Sequence, residues 1–292
     1  MALPNRFCAL VVIGSALLAM AVLCRGQEAN AAKAKAFYAD GTARAGRGDL
    51  LDAIVDFSKA IDLEPKNPLA YSARGNAKFN TGDLDGAVAD HSKAIELDPT
   101  RRTPYINRGV VRVDQGDLQG AIADYTKAIE LDPQSSTAFL NRGNARLQNG
   151  DAAGARSDYE QAVQFAKDEA AYPRFALFLL NTRLETKHQT EFMPVVHGWK
   201  PGWKKSLGLF LGGEITEADL FALAIQGDTK AVREHKCEAF YYAGAMRLLK
   251  GDRAGARTLF EKSVTTQLHS FSEFQFARAE LARPAASEAT KP

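Results

Sequence analysis

The chain has 292 residues, of which 46% are hydrophobic and 25% are charged, and this ordinary globular composition excludes a largely disordered protein. Its formal net charge of +2 excludes a strongly basic or acidic chain, so the composition gives no sign of a nucleic-acid partner.

Residues 1–26 have the pattern of a secretory signal peptide. Arg6 precedes a mostly apolar run at 7–23, and polar residues follow from Arg25 onward. This order predicts export. Two alternatives stay open. An uncleaved signal could anchor the chain in the membrane, or Cys24 could carry a lipid, although Leu23 replaces the small residue expected before a lipidated cysteine.

A period of 34 residues follows, marked by Gly-Asp pairs that begin at Gly48, Gly82, Gly116 and Gly150. A fixed period of this length predicts stacked helical hairpins. In each hairpin, the glycine ends the first helix in a left-handed conformation and the aspartate caps the second helix. The four predicted units are 34–67, 68–101, 102–135 and 136–169.

The units resemble the tetratricopeptide repeat. Each unit has an aromatic residue at its fourth position, glycine at its eighth, and alanine at its twentieth and twenty-seventh. The small residues allow the two helices to cross closely, and the aromatic residues fill the space between neighbouring hairpins. The resemblance implies an all-α fold, a right-handed superhelix of helix hairpins that binds other proteins.

Two positions of the repeat carry opposite charges. The seventh position holds arginine in three units, and the twenty-third holds aspartate in all four. Burial of either sign alone is costly, so their joint occurrence predicts a ladder of ion pairs. The pairs could form within a unit or between neighbouring units, and two solvated rows of charge are the alternative. The residues of the predicted ladder are Arg74, Arg108, Arg142, Asp56, Asp90, Asp124 and Asp158.

The first helix of each unit supplies the predicted concave surface. Its side chains are a mixture of apolar groups and amides, which suits an extended or helical peptide segment. The amides could bond to the backbone of such a ligand. Alternatively, the surface faces solvent or receives the chain's own termini. The predicted groove residues are Tyr38, Thr42, Ser72, Asn76, Phe79, Ile106, Asn107, Val110, Leu140, Asn141 and Asn144, with Leu147 at the twelfth position of the fourth unit.

Beyond residue 169 the strict period ends. The sequence predicts an irregular helical linker at 170–236, in which Trp199 and Trp203 fill the interior. A degenerate fifth unit at 237–270 follows, then a capping helix at 271–283. The tail at 284–292 lacks large apolar residues and is predicted to be disordered.

A catalytic or metal-binding motif is absent from the sequence. The five histidines do not have metal-ligand spacing, and there is no phosphate-binding loop or nucleophile elbow. We therefore predict a protein that is not an enzyme and has no cofactor and no metal. Two alternatives remain: a hydrolase with a site at 188–215 that uses His197 or Glu214, and a purely structural homo-oligomeric unit.

The C-terminal half resembles NlpI-type bacterial envelope proteins with tetratricopeptide repeats. The resemblance lies in residues 237–281, which begin CEAFYYAGAMRLLKGD, and in the preceding run 199–224 (WKPGWKKSLGLFLGGEITEADLFALA). It implies a periplasmic or envelope adaptor, often dimeric, that brings hydrolases or proteases to their substrates. The expected partners are other proteins and a second copy of this chain. Nucleic acid is not expected, and a membrane is expected only if Cys24 is lipidated.

Overall fold

The computed structural model describes residues 27–166, 171–183, 192–268 and 272–282. All the regular secondary structure in these ranges is α-helical, so the predicted all-α class is confirmed. None of the described helices combines the length and the apolar character needed to cross a membrane. The predicted signal peptide and the predicted disordered tail lie outside the described residues.

The chain divides into two compact units, 1–99 and 100–292. The first unit contains two helix hairpins, formed by α1 (27–47), α2 (Leu50–Leu63), α3 (Pro68–Thr81) and α4 (Leu84–Leu97). Helix α1 begins no later than residue 27, ahead of the predicted start of the first repeat at 34.

The turn between α3 and α4 shows why the Gly-Asp pair marks each hairpin. Gly82 ends α3 with φ of 87°, a left-handed conformation that glycine adopts without a steric penalty. The carboxylate of Asp83 then accepts a hydrogen bond of 2.9 Å from the backbone N–H of Gly86 and caps α4.

The second unit begins with two further hairpins, continues through shorter helices, and ends with a third hairpin and one more helix. Its helices are α5 (Arg102–Gln115), α6 (Leu118–Leu131), α7 (Ser136–Gln148), α8 (Ala152–Phe165), α9 (Ala171–Arg183), α10 (Phe192–Gly198), α11 (Trp203–Leu211), α12 (Glu217–Ala224), α13 (Thr229–Leu249), α14 (Arg253–Val264) and α15 (Ser272–Ala282). The predicted linker therefore contains α9 to α12 and the first turns of α13, which begins before the predicted fifth repeat.

Close helix crossing explains the small residues of the repeat. The alanines at the twentieth position are fully buried in all four units. In the fourth repeat, a Cβ atom added to Gly143 would lie 2.7 Å from the ring of Tyr159. A larger side chain at this glycine would force the two helices of the hairpin apart.

An aromatic cluster forms the core of the irregular part of the second unit. Phe175 of α9 is fully buried, and its ring lies 5.6 Å from Trp199 and 5.5 Å from Tyr242 of α13. Trp199 is half-buried and packs against this core. The cluster joins α9 to α13, and these two helices form walls of the cavity described below.

Candidate partner-binding surface

Each buried aspartate of the second, third and fourth repeats is held by two cations of its own repeat. In the second repeat, Arg74 donates two hydrogen bonds to Asp90, of 2.8 and 2.7 Å, and Lys78 Nζ lies 2.9 Å from the same carboxylate. The same arrangement joins Asp124 to Arg108 and Arg112, and Asp158 to Arg142 and Arg146. Of the two pairings that the sequence left open, the structure shows the pairing within one repeat.

The environment of Asp90 favours its charged form. Burial alone would raise the pKa of Asp90, but the hydrogen bonds from Arg74 and Lys78 outweigh it and hold that pKa below its usual value. The Arg74 guanidinium also lies over the ring of Tyr71, at 5.6 Å from the ring centroid. The aromatic residue at the fourth position therefore supports the arginine at the seventh.

Within each unit, one arginine of these clusters also contacts a hydroxyl group of the preceding repeat. Arg74 Nη1 donates to Ser58 Oγ of the preceding repeat at 3.1 Å. Within the second unit, Arg142 Nη1 donates to Thr126 Oγ1 in the same way at 3.2 Å. Each hydroxyl in turn donates to a backbone carbonyl of its own helix, Ser58 to Ile54 and Thr126 to Ile122. The ion-pair clusters are thus separate, and these two arginines contact the preceding repeat through a neutral side chain.

The ends of the repeat series differ from this arrangement. Asp56 of the first repeat has Arg44 at 3.2 Å, without hydrogen-bond alignment, and Lys59 at 3.7 Å. In the fifth hairpin, the equivalent of the aspartate is buried Leu259. The arginine at the eleventh position of that hairpin, Arg247, instead donates two hydrogen bonds, of 2.8 and 2.6 Å, to Glu217 of α12.

The predicted groove residues of the first unit differ in their exposure. Tyr38 is half-buried, with its ring 5.7 Å from that of Phe57, and Thr42 is exposed and donates its hydroxyl to the Tyr38 carbonyl oxygen. Ser72 is half-buried. Phe79 is only 5% exposed, so its prediction as a groove residue was wrong. A large aromatic side chain gains more free energy from burial than it would on an open surface.

The predicted amide of the first unit, Asn76, is exposed. In the second unit, Asn107 and Asn141 are half-buried. Asn144 is 8% exposed, and its side-chain oxygen accepts a 2.9 Å hydrogen bond from the Tyr159 hydroxyl. The oxygen of Asn144 is therefore bonded inside the repeat, and the residue also lies in the lining of the cavity described below.

Two of the predicted apolar groove residues pack between the third and the fourth repeat. Ile106 and Val110 are half-buried against a cluster that contains Tyr125 and Ala145. They connect the third repeat to the fourth.

A cavity of about 730 Å³ lies among the described helices of the second unit. This size falls within the range of ligand-binding pockets. The fourth repeat contributes the predicted residues Leu140, Asn144 and Leu147 to its wall. The other walls come from helices that the repeat pattern did not place near the fourth repeat. The aromatic residues of these walls are Tyr172, Tyr241, Tyr242, Phe260 and Phe276.

A pair of buried carboxylates lies beside this cavity. Glu273 lines the cavity and accepts a 3.0 Å hydrogen bond from the Tyr242 hydroxyl. Glu238 accepts hydrogen bonds from Tyr172 at 2.9 Å and from the Trp203 indole at 2.6 Å. Burial, and then repulsion from Glu273, raise the pKa of Glu238 to about 8. The pair therefore binds a proton at neutral pH.

A smaller cavity of about 390 Å³ has Glu238 in its lining. It is lined by Trp203 and His235, whose rings stack at 4.3 Å, and by Lys200 and Lys204. Burial lowers the pKa of His235. Trp203 thus joins α11 to α13 through both its ring and its indole N–H.

The residues of the alternative hydrolytic site form one contact. His197 Nε2 lies 2.7 Å from Glu214 Oε1, and each side chain is about half exposed. The contact ties the end of α10 to the turn before α12. Among the described residues, no group of three or more histidine, cysteine, aspartate or glutamate side chains could hold a metal ion. Cys237 is buried, and burial raises the pKa of its thiol to about 11, so it is an unreactive packing residue.

Family models match the repeats. A model described as TPR repeat matches residues 41–82 and 109–150, and a model described as tetratricopeptide repeat matches residues 69–101.

Solved structures with the same fold cover more of the chain. The chain is similar to Pseudomonas aeruginosa pilF, at 18% identity and a TM-score of 0.53, over 87% of this chain and 99% of that one. A tetratricopeptide repeat protein from Parabacteroides merdae matches at 17% identity and a TM-score of 0.53, over 85% and 99%. MamA from Desulfovibrio magneticus RS-1 matches at 20% identity and a TM-score of 0.52, over 58% and 98%.

Proposed function

We propose, from the tetratricopeptide repeats that the chain carries, that the protein is an interaction scaffold that binds a peptide segment of a partner protein in the cavity of its second unit. The observation that carries the proposal is the cavity of about 730 Å³, to which both the fourth repeat and the C-terminal helices contribute. Concave sites of this size with mostly apolar walls and a few polar groups bind ligands preferentially.

The chemistry of the walls favours a peptide with apolar side chains. Leucine, alanine and aromatic residues together make up most of the lining, and the aromatic rings supply contact area at a low cost in conformational entropy. Polar groups lie among them at Gln148, Arg253 and Glu280. Such groups can orient the backbone and the charged residues of a bound segment.

We also propose that the protein acts outside the cytoplasm, as an adaptor of the periplasm or the cell envelope. The apolar run at 7–23 and the resemblance of residues 237–281 to NlpI-type proteins support this location. The mass of the exported protein tests the proposal. We expect a chain cleaved after the apolar run and without lipid, whereas a full-length or lipid-modified chain would support one of the two anchored alternatives.

A cavity-filling variant tests the peptide site. Ala245 lines the cavity, and tryptophan at this position would occupy much of the space that a ligand needs. Ala123 is exposed on α6, so Ala123→Trp adds the same side chain away from the cavity and serves as the control. In affinity capture from envelope extracts, quantified by mass spectrometry, Ala245→Trp should reduce recovery of the partner about tenfold or more, a loss of at least 1.4 kcal/mol in binding.

The control decides the interpretation. We expect Ala123→Trp to recover the partner at the wild-type level. Equal recovery by both variants and the wild type would show that the partner binds elsewhere on the chain.

A further inference from the structure

The last helix, α15, forms one wall of the cavity. Phe276 and Ala279 face the cavity, whereas Phe274 and Ala277 on the other side of the helix are buried. Phe274 packs with Cys237 of α13, and Ala277 packs with the core of the fifth hairpin. The first half of α15 is therefore anchored by apolar burial.

The second half of α15 has a polar attachment in addition to apolar packing. Arg278 forms an ion pair with Asp114, near the end of α5 in the third repeat. Asp114 lies one 34-residue period before Gln148, which lines the cavity. The ion pair thus connects α15 to the third repeat. It does so at Asp114, the repeat position that Gln148 of the cavity wall occupies in the fourth repeat.

The two partners of this ion pair differ in exposure. The Arg278 side chain is 42% exposed and the Asp114 side chain is 4% exposed. Beyond Arg278, Leu281 is half-buried and packs at the edge of the cluster formed by Ala256, Phe260 and Ala277, and Ala282 is exposed. Water can replace the partner of a half-exposed arginine at small cost, whereas release of the buried Phe274 would expose a whole aromatic ring. The second half of α15 can therefore open while the first half stays in place.

We propose that the second half of α15 is a movable wall of the cavity, that the Arg278–Asp114 ion pair keeps it closed, and that a partner segment enters the cavity when this ion pair opens. The inference rests on the proposed function, since it assigns the control of access to the same cavity. The ligand-competent state is then a minor conformation of the free protein, and its population sets the apparent affinity.

The test uses the full chain and two measurements. The first is amide hydrogen exchange in residues 279–282, and the second is the dissociation constant of the neutral apolar dye Nile red. In Arg278→Glu, the exchange rate should rise about tenfold and the dissociation constant should fall by the same factor, because both depend on the open fraction. The double variant Asp114→Arg, Arg278→Glu restores an ion pair and should return both values toward the wild type.

A matched variant controls for a change of charge near the cavity. Arg257 of α14 lines the cavity and pairs with Glu261 of its own helix, so Arg257→Glu should leave the exchange of residues 279–282 unchanged. Wild-type exchange in Arg278→Glu would overturn the proposal. Faster exchange without tighter dye binding would also overturn it, since α15 would then open without exposing the cavity. Neither result depends on the capture of a partner, so the proposed function can fail separately.

Discussion

Replacement of Asp158 by alanine should lower the free energy of unfolding by about 3–5 kcal/mol, as expected when one partner of a buried ion pair is removed. The Asp158 side chain is 2% exposed and bonds to both Arg142 and Arg146. Without the carboxylate, these two guanidinium groups would face each other across a largely desolvated space. Urea unfolding of the variant and the wild type measures the difference.

A surface carboxylate provides the control. Glu130 is 58% exposed and pairs with Lys127 at 2.9 Å, so Glu130→Ala should cost less than about 0.5 kcal/mol. The double variant Arg142→Ala, Asp158→Leu copies the uncharged residues Ala243 and Leu259 of the fifth hairpin. It should be more stable than Asp158→Ala. Equal losses for Asp158→Ala and Glu130→Ala would show that the buried clusters contribute no more than surface pairs.

The buried carboxylate pair should make stability depend on pH. The folded-state pKa of Glu238 is raised to about 8, above its unfolded value of about 4.3. In the window between these values, the folded state binds more protons than the unfolded state, so stability falls as pH rises. The stability that Glu238 contributes by binding a proton is fully present below its pKa in the unfolded state. It is lost as the pH rises through its pKa in the folded state.

Glu273→Gln isolates the repulsive part of this effect. Glutamine keeps a carbonyl oxygen that can accept the Tyr242 hydroxyl, but it removes the negative charge beside Glu238. The variant should lose less stability than the wild type between pH 5 and pH 8, and its advantage should grow with pH. Some decline should remain, because burial is the largest cause of the raised pKa. Parallel stability curves for the two proteins would contradict the coupling of the two carboxylates.

The repeats could be predicted from the sequence because their signals are local. Gly82 ends one helix and Asp83 caps the next, and each acts within a single turn of the chain. The same pair recurs every 34 residues. The bases at the eleventh position have the same period, and the structure shows that three of them are second partners of the aspartates. The four bases are Arg44, Lys78, Arg112 and Arg146. Their position could have predicted this pairing, because a residue four places after the seventh position lies on the same face of the helix.

The burial of Asn144 also had a signal in the sequence. The twenty-fourth position is Phe57 in the first unit but Tyr159 in the fourth. A buried tyrosine hydroxyl needs a hydrogen-bond partner, and an amide of the facing helix supplies it.

The cavity itself could not be predicted from the repeat pattern. Tyr241 and Phe276 approach Leu140 across a separation of about a hundred residues or more. Their approach depends on the turns of the linker, where the period fails and local signals do not fix the direction of the chain. The apolar residues of α13 and α15 predict that one face of each helix is buried, but they do not predict which other helix that face contacts.

Site-specific photocrosslinking tests most directly whether a partner segment occupies this cavity. A photoreactive side chain placed at Leu179, on the cavity wall, is compared with the same side chain at the exposed Ala123. We expect the Leu179 probe to form an adduct with one short apolar segment of a partner protein, and the Ala245→Trp substitution to abolish that adduct. Equal crosslinking at both positions, or an adduct that persists when the cavity is filled, would contradict the proposed site.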